Sequence, residues 1–375
     1  MTNELWPMAV AIFCTWCFMP LVIRAYAFGY DQIASPQHVH LQPTSRLGGG
    51  IVFLAYASGI VLTVALWLVP SRPILMLLAC ALPVFLTGIW EDISRRVPPS
   101  QRFAAAVVSA ILASLFAGGV IARLDIPYVD GWLPYQIFAV LLTCFMAAGA
   151  CNALNLIDGA NGLASGTALL MFAGLAVAAG HVGDHLVFVQ AVIMIGALAG
   201  FLYWNYPRAR VFMGDGGAYF IGFIYAELSI QIIARNEQIS AWFVIMLAAY
   251  PIVETLYSMY RRRILLRTPS TEPDALHLHS MIYHRVTLPA EQRRSDPNLD
   301  RANARVAPRL WLHSLLCLTL ALICYDNTGA LLISLVAYAI VYVVHYRTLW
   351  KVRKARPEGA ALGFHDRRGA QTKFQ

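Results

Sequence analysis

The chain has 375 residues, of which 59% are hydrophobic and 13% are charged, and its formal net charge is +8. The charged fraction is about half that of soluble domains, and apolar runs of about 18 residues recur, so composition excludes a soluble globular protein. The basic residues are spread over loops between these runs, which argues against a nucleic-acid partner.

The apolar runs predict an all-α, polytopic integral membrane protein with about eleven transmembrane helices. We place the spans at 5–27, 47–69, 73–90, 103–121, 133–152, 163–181, 185–204, 217–235, 240–259, 310–325 and 329–346. The seven cysteines fall within or at the ends of these runs, so we interpret them as buried hydrophobic residues rather than disulfide or zinc ligands.

Lys and Arg predict the orientation. With the predicted spans, only three of the 28 Lys and Arg residues lie on one side of the membrane, namely Arg72, Arg123 and Arg235, and the other 25 lie on the opposite side. The positive-inside rule therefore predicts a periplasmic N-terminus and a cytoplasmic C-terminus. We expect residues 1–350 to form a single transmembrane domain and 351–375 to form a basic, disordered cytoplasmic tail.

The polar residues that could carry chemistry gather in the five predicted cytoplasmic loops, 28–46, 91–102, 152–162, 205–216 and 260–309. In the second loop, Glu91 and Asp92 are adjacent carboxylates at a membrane interface, which are costly unless paired, hydrated or metal-bound. The alternative is a solvated helix end beside Arg95 and Arg96.

In the third loop, polar residues recur every three positions at Asn152, Asn155, Asp158 and Asn161. On a helix they would form one polar stripe. The alternative is an ordinary helix C-terminus with a glycine stop signal.

In the fourth loop, Asp215 lies among glycines just before a predicted helix. Free backbone N–H groups at a helix start suit a phosphate, and a carboxylate suits Mg²⁺. The position equally suits an aspartate that caps its own helix. The residues alone leave both interpretations open.

The remaining loops supply Thr44 and Arg46 before a glycine run, and Arg263, His277 and His279. The arginine run could equally be a positive-inside anchor, and the histidines a solvated pair. Two acidic residues inside spans, Glu227 and Glu254, need partners. Glu254 could support a site from behind, whereas Glu227 has no assignment.

Five motifs carry a family resemblance, and they occur in this order: Pro43–Gly49, Gly88–Asp92, Asn152–Gly162, Phe212–Gly217 and His277–Ser280. They resemble those of the polyprenyl-phosphate N-acetylhexosamine-1-phosphate transferases of glycosyltransferase family 4, in particular the undecaprenyl-phosphate N-acetylglucosaminyl-1-phosphate transferases.

The resemblance implies an EC 2.7.8-type phosphotransferase that transfers an N-acetylhexosamine 1-phosphate from a UDP-amino sugar to undecaprenyl phosphate and releases UMP. It would initiate the synthesis of a cell-surface polysaccharide such as O-antigen. It implies a multi-pass protein of the bacterial inner membrane whose active site faces the cytoplasm. It also implies contact with membrane lipid, homodimers as in the wider family, and Mg²⁺, with Mn²⁺ as a substitute.

The resemblance also implies roles for residues of this chain. The catalytic residues would be Glu91, Asp92, Asp158 and Asp215, with Asp215 as the metal ligand and Glu91 and Asp92 positioning or deprotonating the lipid phosphate. The substrate-binding residues would be Thr44, Arg46, Asn152, Asn155, Asn161, Phe212, Arg263, His277 and His279, with Phe212 stacking on the uracil.

The chain departs from the family pattern at Glu91 and Asn161, where aspartates are usual, and at Ser280, where a histidine is usual. These departures leave the sugar open among GlcNAc, GalNAc, QuiNAc and FucNAc. The alternative function is a catalytically inactive protein of the same scaffold that binds or transports lipid phosphate or nucleotide sugar. Retention of all three aspartates, at positions 92, 158 and 215, favours the transferase.

Overall fold

The computed structural model describes residues 5–24, 44–266, 276–286 and 303–354, and these are mainly helical, as predicted. The helices are α1 (Trp6–Arg24), α2 (Gly48–Ala65), α3 (Ser71–Cys80), α4 (Leu82–Ser94), α5 (Pro99–Phe116), α6 (Pro127–Asp130), α7 (Gln136–Ile157), α8 (Leu163–Val182), α9 (His185–Asn205), α10 (Gly214–Arg235), α11 (Ala241–Leu247), α12 (Ala249–Tyr260), a π-helical turn (Arg261–Leu266), α13 (Leu278–Val286), α14 (Val306–Ile323) and α15 (Thr328–Lys354).

Ten helical segments within the described ranges are long and apolar enough to cross a membrane. One of them is α3 with α4, which together cover Ser71–Ser94. The predicted span 240–259 is a broken one, because α11 and α12 meet at an angle of 75°. The polytopic prediction is therefore confirmed, with eleven spans if the bent pair crosses as one. The side of the membrane on which each terminus lies stays a prediction.

Helix α10 lies at the centre of the bundle. All of its residues from Gly214 to Ile233 are buried, and it packs against α2, α4, α5, α7, α8 and α9. Glycines make this possible, because a Cβ on Gly216 would overlap α4 and a Cβ on Gly49 of α2 would overlap the backbone of Gly217. Small residues allow membrane helices to approach this closely.

The two ends of α10 define two faces of the bundle. The Asp215 face, where α10 begins, gathers the motif loops described below. At the Arg235 face, where α10 ends, the Arg235 Nε lies 3.0 Å from Asp184 Oδ2. There Asp125 also accepts a hydrogen bond of 2.7 Å from the backbone N of Ala241, at the start of α11.

Helix α15 carries a row of buried tyrosines, Tyr338, Tyr342 and Tyr346, at four-residue steps. The row packs toward α12, α13 and α14, so the C-terminal helix holds the bent pair in place. The helix continues to Lys354. The rest of the predicted disordered tail, 355–375, and the loop residues 28–43 lie outside the described residues.

Candidate active site

Residues 44–46, the described end of the first predicted loop, run beside the end of the fourth predicted loop (205–216); the five predicted loops that carry the motifs are called motif loops below. Ser45 and Val211 form a parallel β-bridge, and the Phe212 N donates a hydrogen bond of 2.8 Å to the Ser45 O. The backbone N of Gly48 then donates to the Phe212 O at 3.1 Å. A Cβ on Gly48 would overlap that same carbonyl oxygen, so glycine permits the pairing. The pairing fixes Arg46 beside the start of α10.

Asp92 caps α10. Its Oδ1 accepts from the Asp215 N and its Oδ2 from the Gly216 N, each at 2.9 Å. The first N–H groups of a helix have no partner within the helix, and a negative charge there is favoured by the helix dipole. Gly214 adopts a φ of +72°, and a Cβ there would overlap Asp92 Oδ2. Asp92 is fully buried. Its two oxygens hold the backbone of Asp215 and Gly216 and so position the Asp215 side chain.

Because Asp92 accepts these hydrogen bonds, the side chain of Asp215 does not cap its own helix. Its Oδ1 accepts a hydrogen bond from Asn155 Nδ2 at 2.9 Å and from Arg46 Nη2 at 3.3 Å. Its Oδ2 accepts from Arg102 Nη1. These donors come from α7, the first motif loop and α5, so three distant segments of the chain converge on one carboxylate.

Two arginines compensate the two buried aspartates. Arg46 lies between them, because its Nε is 3.5 Å from Asp92 Oδ1 while its Nη2 contacts Asp215. Arg102 contacts Asp215 and lies over the Tyr219 ring, 5.8 Å from the ring centroid. Both arginine side chains remain partly exposed at this face.

Asp158 follows the end of α7 and is half-buried. Burial raises the pKa of Asp158 to about 8, with Arg46 acting in the opposite direction and Asp92 adding to the increase. The group is thus electrostatically coupled to Arg46 and Asp92.

The histidine motif is held by Glu254 of α12. His277 Nδ1 lies 3.0 Å from Glu254 Oε1, which also accepts from the Leu278 N at 3.2 Å. Glu254 Oε2 accepts from the Tyr342 hydroxyl at 2.6 Å. The buried carboxylate therefore fixes the orientation of the His277 ring, and α15 in turn fixes the carboxylate.

His279 connects this histidine cluster to the third motif loop. Its ring stacks on His277, with centroids 5.5 Å apart and planes 9° apart. A Cβ on Gly159 would overlap His279 Nε2, so the ring lies directly against the residue after Asp158. The histidine motif and the third motif loop therefore adjoin.

Several predicted site residues have other contacts. Glu91 Oε2 accepts from the Val97 N at 2.6 Å and so stabilises the turn after α4. The Asn161 side chain donates to the Pro207 O at 2.9 Å and is buried. Asn152 and Arg263 are exposed.

The predicted polar stripe does not lie on one helix face, since α7 ends at Ile157, before its last two members. Thr44 is buried and Phe212 is half-buried beside the paired loops. The substrate roles of these residues stay predictions.

Two residues of the site were not predicted. Arg102 ends the second predicted loop (91–102). Arg95 and Arg96 lie in the same loop, and nothing in the sequence distinguishes the three arginines. Asn205, the last residue of α9, accepts from the Gly162 N at 2.6 Å and donates to the Val211 O at 2.7 Å. It thereby joins the third and fourth motif loops, although a lone asparagine at a helix end carries no distinctive pattern.

The donor set suits a magnesium ion that is shared with a substrate. Among the described residues, no three His, Cys, Asp or Glu side chains are grouped to hold a metal by themselves. Mg²⁺, however, usually takes one or two protein carboxylates and completes its shell with phosphate oxygens and water. Asp215 would supply the carboxylate, and Arg46 and Arg102, which contact it in the ligand-free chain, would have to turn to phosphate oxygens of the substrate.

Comparison with known proteins agrees with this geometry. The family model of glycosyl transferase family 4 matches residues 74–233. A probable undecaprenyl-phosphate N-acetylglucosaminyl 1-phosphate transferase of Bacillus subtilis is 27% identical over 267 residues, which cover 69% of this chain and 72% of the relative.

A phospho-N-acetylmuramoyl-pentapeptide-transferase of Staphylococcus epidermidis is 28% identical, covering 69% of this chain and 87% of the relative. A decaprenyl-phosphate N-acetylglucosaminephosphotransferase of Mycolicibacterium smegmatis is 28% identical, covering 68% and 70%. These relatives are enzymes, which favours the transferase over the inactive alternative. The chain is therefore similar to glycosyl transferase family 4 over residues 74–233, and its relatives support a phosphotransferase.

Proposed function

We propose that this chain transfers an N-acetylhexosamine 1-phosphate from a UDP-amino sugar to undecaprenyl phosphate, yielding undecaprenyl-diphospho-sugar and UMP. Members of the family transfer hexosamine 1-phosphate to polyprenyl phosphate. The observation that carries the finer proposal is the convergence of Arg46, Arg102 and Asn155 on Asp215 at the start of α10. The product would initiate the synthesis of O-antigen or a similar surface glycan.

In the proposed reaction, an oxygen of the lipid phosphate attacks the β-phosphorus of the UDP-sugar. The bond between the β-phosphorus and the bridging oxygen breaks, and UMP leaves with that oxygen. Phosphoryl transfer of this kind depends mainly on positioning and charge neutralisation. A phosphate monoester is already largely ionised at neutral pH, so the nucleophile needs little help from a base.

Arg46 and Arg102 supply the positive charge that this reaction needs. In the ligand-free chain they neutralise Asp92 and Asp215. Charge-assisted hydrogen bonds to phosphate are of comparable strength, so the guanidinium groups can exchange a carboxylate for a phosphate oxygen when substrate binds. If Mg²⁺ binds, Asp215 would hold it, and the ion would neutralise the diphosphate as a Lewis acid.

The aspartates then have distinct roles. Asp92 positions Asp215 by capping α10, which gives it a role in the geometry of the site and no need to act as a base. Asp158 and Asn155 line the nucleotide side, with Phe212 as the platform for uracil. His277 and His279, held by Glu254, bind the diphosphate or the sugar.

The loops of the Asp215 face would lie in the cytoplasm, where UDP-sugars are made. The count of 25 basic residues against three supports this orientation for a protein of the inner membrane. Lipid headgroups would then place undecaprenyl phosphate at the same depth as Arg46 and Arg102. A homodimer, as in the wider family, is compatible with the proposal.

The test uses membranes that contain the full chain, undecaprenyl phosphate, Mg²⁺ and one UDP-sugar at a time. We expect one of UDP-GlcNAc, UDP-GalNAc, UDP-QuiNAc or UDP-FucNAc to give a lipid-linked diphospho-sugar and an equal amount of UMP. Release of UDP in place of UMP would show transfer of the sugar alone and would contradict the proposal. Membranes with Asp215→Asn serve as the control.

A further inference from the structure

Helix α10 carries a second acid, Glu227, that the proposed reaction does not use. It lies 12 residues beyond Asp215, about 18 Å along the helix axis. Glu227 is fully buried, and neither of its carboxyl oxygens has a hydrogen-bond partner in the described parts of the chain. Glu254, the other buried glutamate of the spans, has partners at both oxygens. The two acids therefore differ in their partners and agree in their burial.

The structure makes room for this carboxyl group. A Cβ on Gly119, in the turn that follows α5, would overlap Glu227 Oε2, so the acid lies directly against the backbone there. The titratable side chains in electrostatic range are the thiols of Cys80, Cys144 and Cys151. No cationic side chain of the described residues is paired with it.

An ionised carboxylate without a partner is very costly in a membrane interior, because no water or counter-charge compensates for its lost hydration. A neutral carboxylic acid avoids most of that cost, because only a polar group remains to be desolvated. A bound proton is therefore the ligand that fits this pocket of thiols and backbone. A metal cation would need several ligands grouped around it, and no three His, Cys, Asp or Glu side chains of the described residues are grouped in this way.

A polar row leads from this acid to the Arg235 face. Glu227, Gln231 and Arg235 are spaced by four residues and so share one side of α10. The Arg235 Nη1 donates to Gln231 Oε1 at 3.5 Å, while Gln231 Nε2 is buried without a partner in the described residues. Arg235 itself is partly exposed. Gln231 and Arg235 thus place polar atoms between the acid and the face opposite Asp215, while no hydrogen bond joins Gln231 to Glu227 in the described residues.

We propose that Glu227 is an intramembrane proton-binding site, occupied by a proton as a neutral carboxylic acid and exchanging with the Arg235 face through Gln231. This site is separate from the phosphosugar site, and it stands whether or not the proposed sugar transfer is correct.

A membrane-soluble carbodiimide tests the protonation. Dicyclohexylcarbodiimide adds to a buried carboxylic acid and rearranges to a stable N-acylurea. With the full chain in membranes at neutral pH, we expect mass spectrometry to find this adduct on Glu227. Glu254 is the internal control and should stay unmodified, since its oxygens are hydrogen-bonded.

Two results would overturn the proton site. One is a Glu227 that stays unmodified in folded, carbodiimide-treated protein. The other is modification that sodium chloride suppresses and choline chloride does not, which would assign the site to a sodium ion. Glu227→Gln, which resembles the neutral acid in shape, should fold and retain phosphosugar transfer, whereas a tenfold loss of transfer would indicate that the ionised form is required.

Infrared spectroscopy tests the route. The difference spectrum between the wild-type protein and Glu227→Gln should contain the carbonyl band of a protonated carboxyl group, and that band should shift in D₂O. We expect Gln231→Leu to slow that shift at least tenfold while leaving the band in place. An unchanged rate of exchange in Gln231→Leu would refute the route through this side chain.

Discussion

Aspartates at the two faces of the bundle have opposite surroundings. At the Arg235 face, Asp184 accepts from the Val187 N at the start of α9, and Asp125 accepts from the Ala241 N at the start of α11. Each also pairs with one arginine. Those two carboxylates cap helices and hold loops.

At the Asp215 face the capping is done by a neighbour. Asp92 takes the first N–H groups of α10, so the carboxylate of Asp215 binds only side chains. A carboxylate that is freed from its own helix can exchange partners without unfolding that helix. We therefore expect Asp215 to bind a ligand, and Asp125 and Asp184 to stabilise the fold.

The largest expected effect comes from Asp215→Asn. Loss of the charge that organises Arg46 and Arg102 should lower kcat for UMP release at least about 100-fold, equivalent to about 2.7 kcal/mol. Thermal unfolding in detergent should change little, because the amide keeps its shape and Asp92 still caps the helix. Full activity of this variant would remove Asp215 from the site.

Asp125→Asn is the matched variant at the Arg235 face. Burial acts against ionisation, but hydrogen bonds from the Ala241 N and Arg123 outweigh it, so the pKa of Asp125 is lowered. Such a group stabilises the fold above its unfolded pKa, and the contribution is lost as pH falls through the folded pKa. We expect a stability loss of about 1–3 kcal/mol at neutral pH with activity retained. An inactive but stable Asp125→Asn would contradict the division between the faces.

A smaller effect is expected when Glu254, which orients His277 of the histidine motif, is changed. Glu254→Gln should lower kcat/KM about 10- to 100-fold, the range seen when a residue that orients a site ligand is changed. Tyr342→Phe removes one hydrogen bond to Glu254 and should give a weaker loss. Tyr338→Phe is the control, because that hydroxyl faces His313 instead. Equal losses in both tyrosine variants would indicate a general packing defect.

Gly159→Ala should push the His279 ring away from the third motif loop. We expect roughly a tenfold loss of kcat/KM with little change in Tm. Gly149→Ala in α7 is the control, since a Cβ there meets nothing within 4 Å. An unchanged Gly159→Ala enzyme would show that the position of His279 is unimportant to the reaction.

The smallest effect concerns Asp158 and pH. Its folded pKa, raised by burial to about 8, lies above the unfolded value of about 4. The protonated form therefore stabilises the fold, fully below the unfolded pKa, and this contribution is lost as pH rises through about 8. The Tm of the wild type should fall over that window more than the Tm of Asp158→Asn. If the Tm of the wild type and of Asp158→Asn changed with pH in the same way, the raised pKa of Asp158 would be contradicted.

The sequence predicted the spans well, because long apolar runs and basic loops directly reflect the membrane. It left open whether Asp215 caps its helix, since that depends on Asp92, 123 residues earlier in the chain. It placed Asn152 and Asn161 in one stripe with Asn155, because a period of three residues does not reveal that α7 ends at Ile157.

The bend between α11 and α12 had no sequence signal beyond Pro251, which lies after the break. Arg102 and Asn205 were missed for a related reason. Their contacts are with residues distant in the chain, and neither belongs to a local pattern. Local periodicity thus predicts elements, whereas the partners of a polar side chain depend on packing.

Photoaffinity labelling with a UDP-sugar that carries an azide on the uracil tests the central claim most directly. With the full chain in membranes, we predict labelled peptides from 152–162 or 205–216, and competition by the unlabelled donor. Label confined to 117–126 or 236–240, at the Arg235 face, would contradict a nucleotide site at the start of α10.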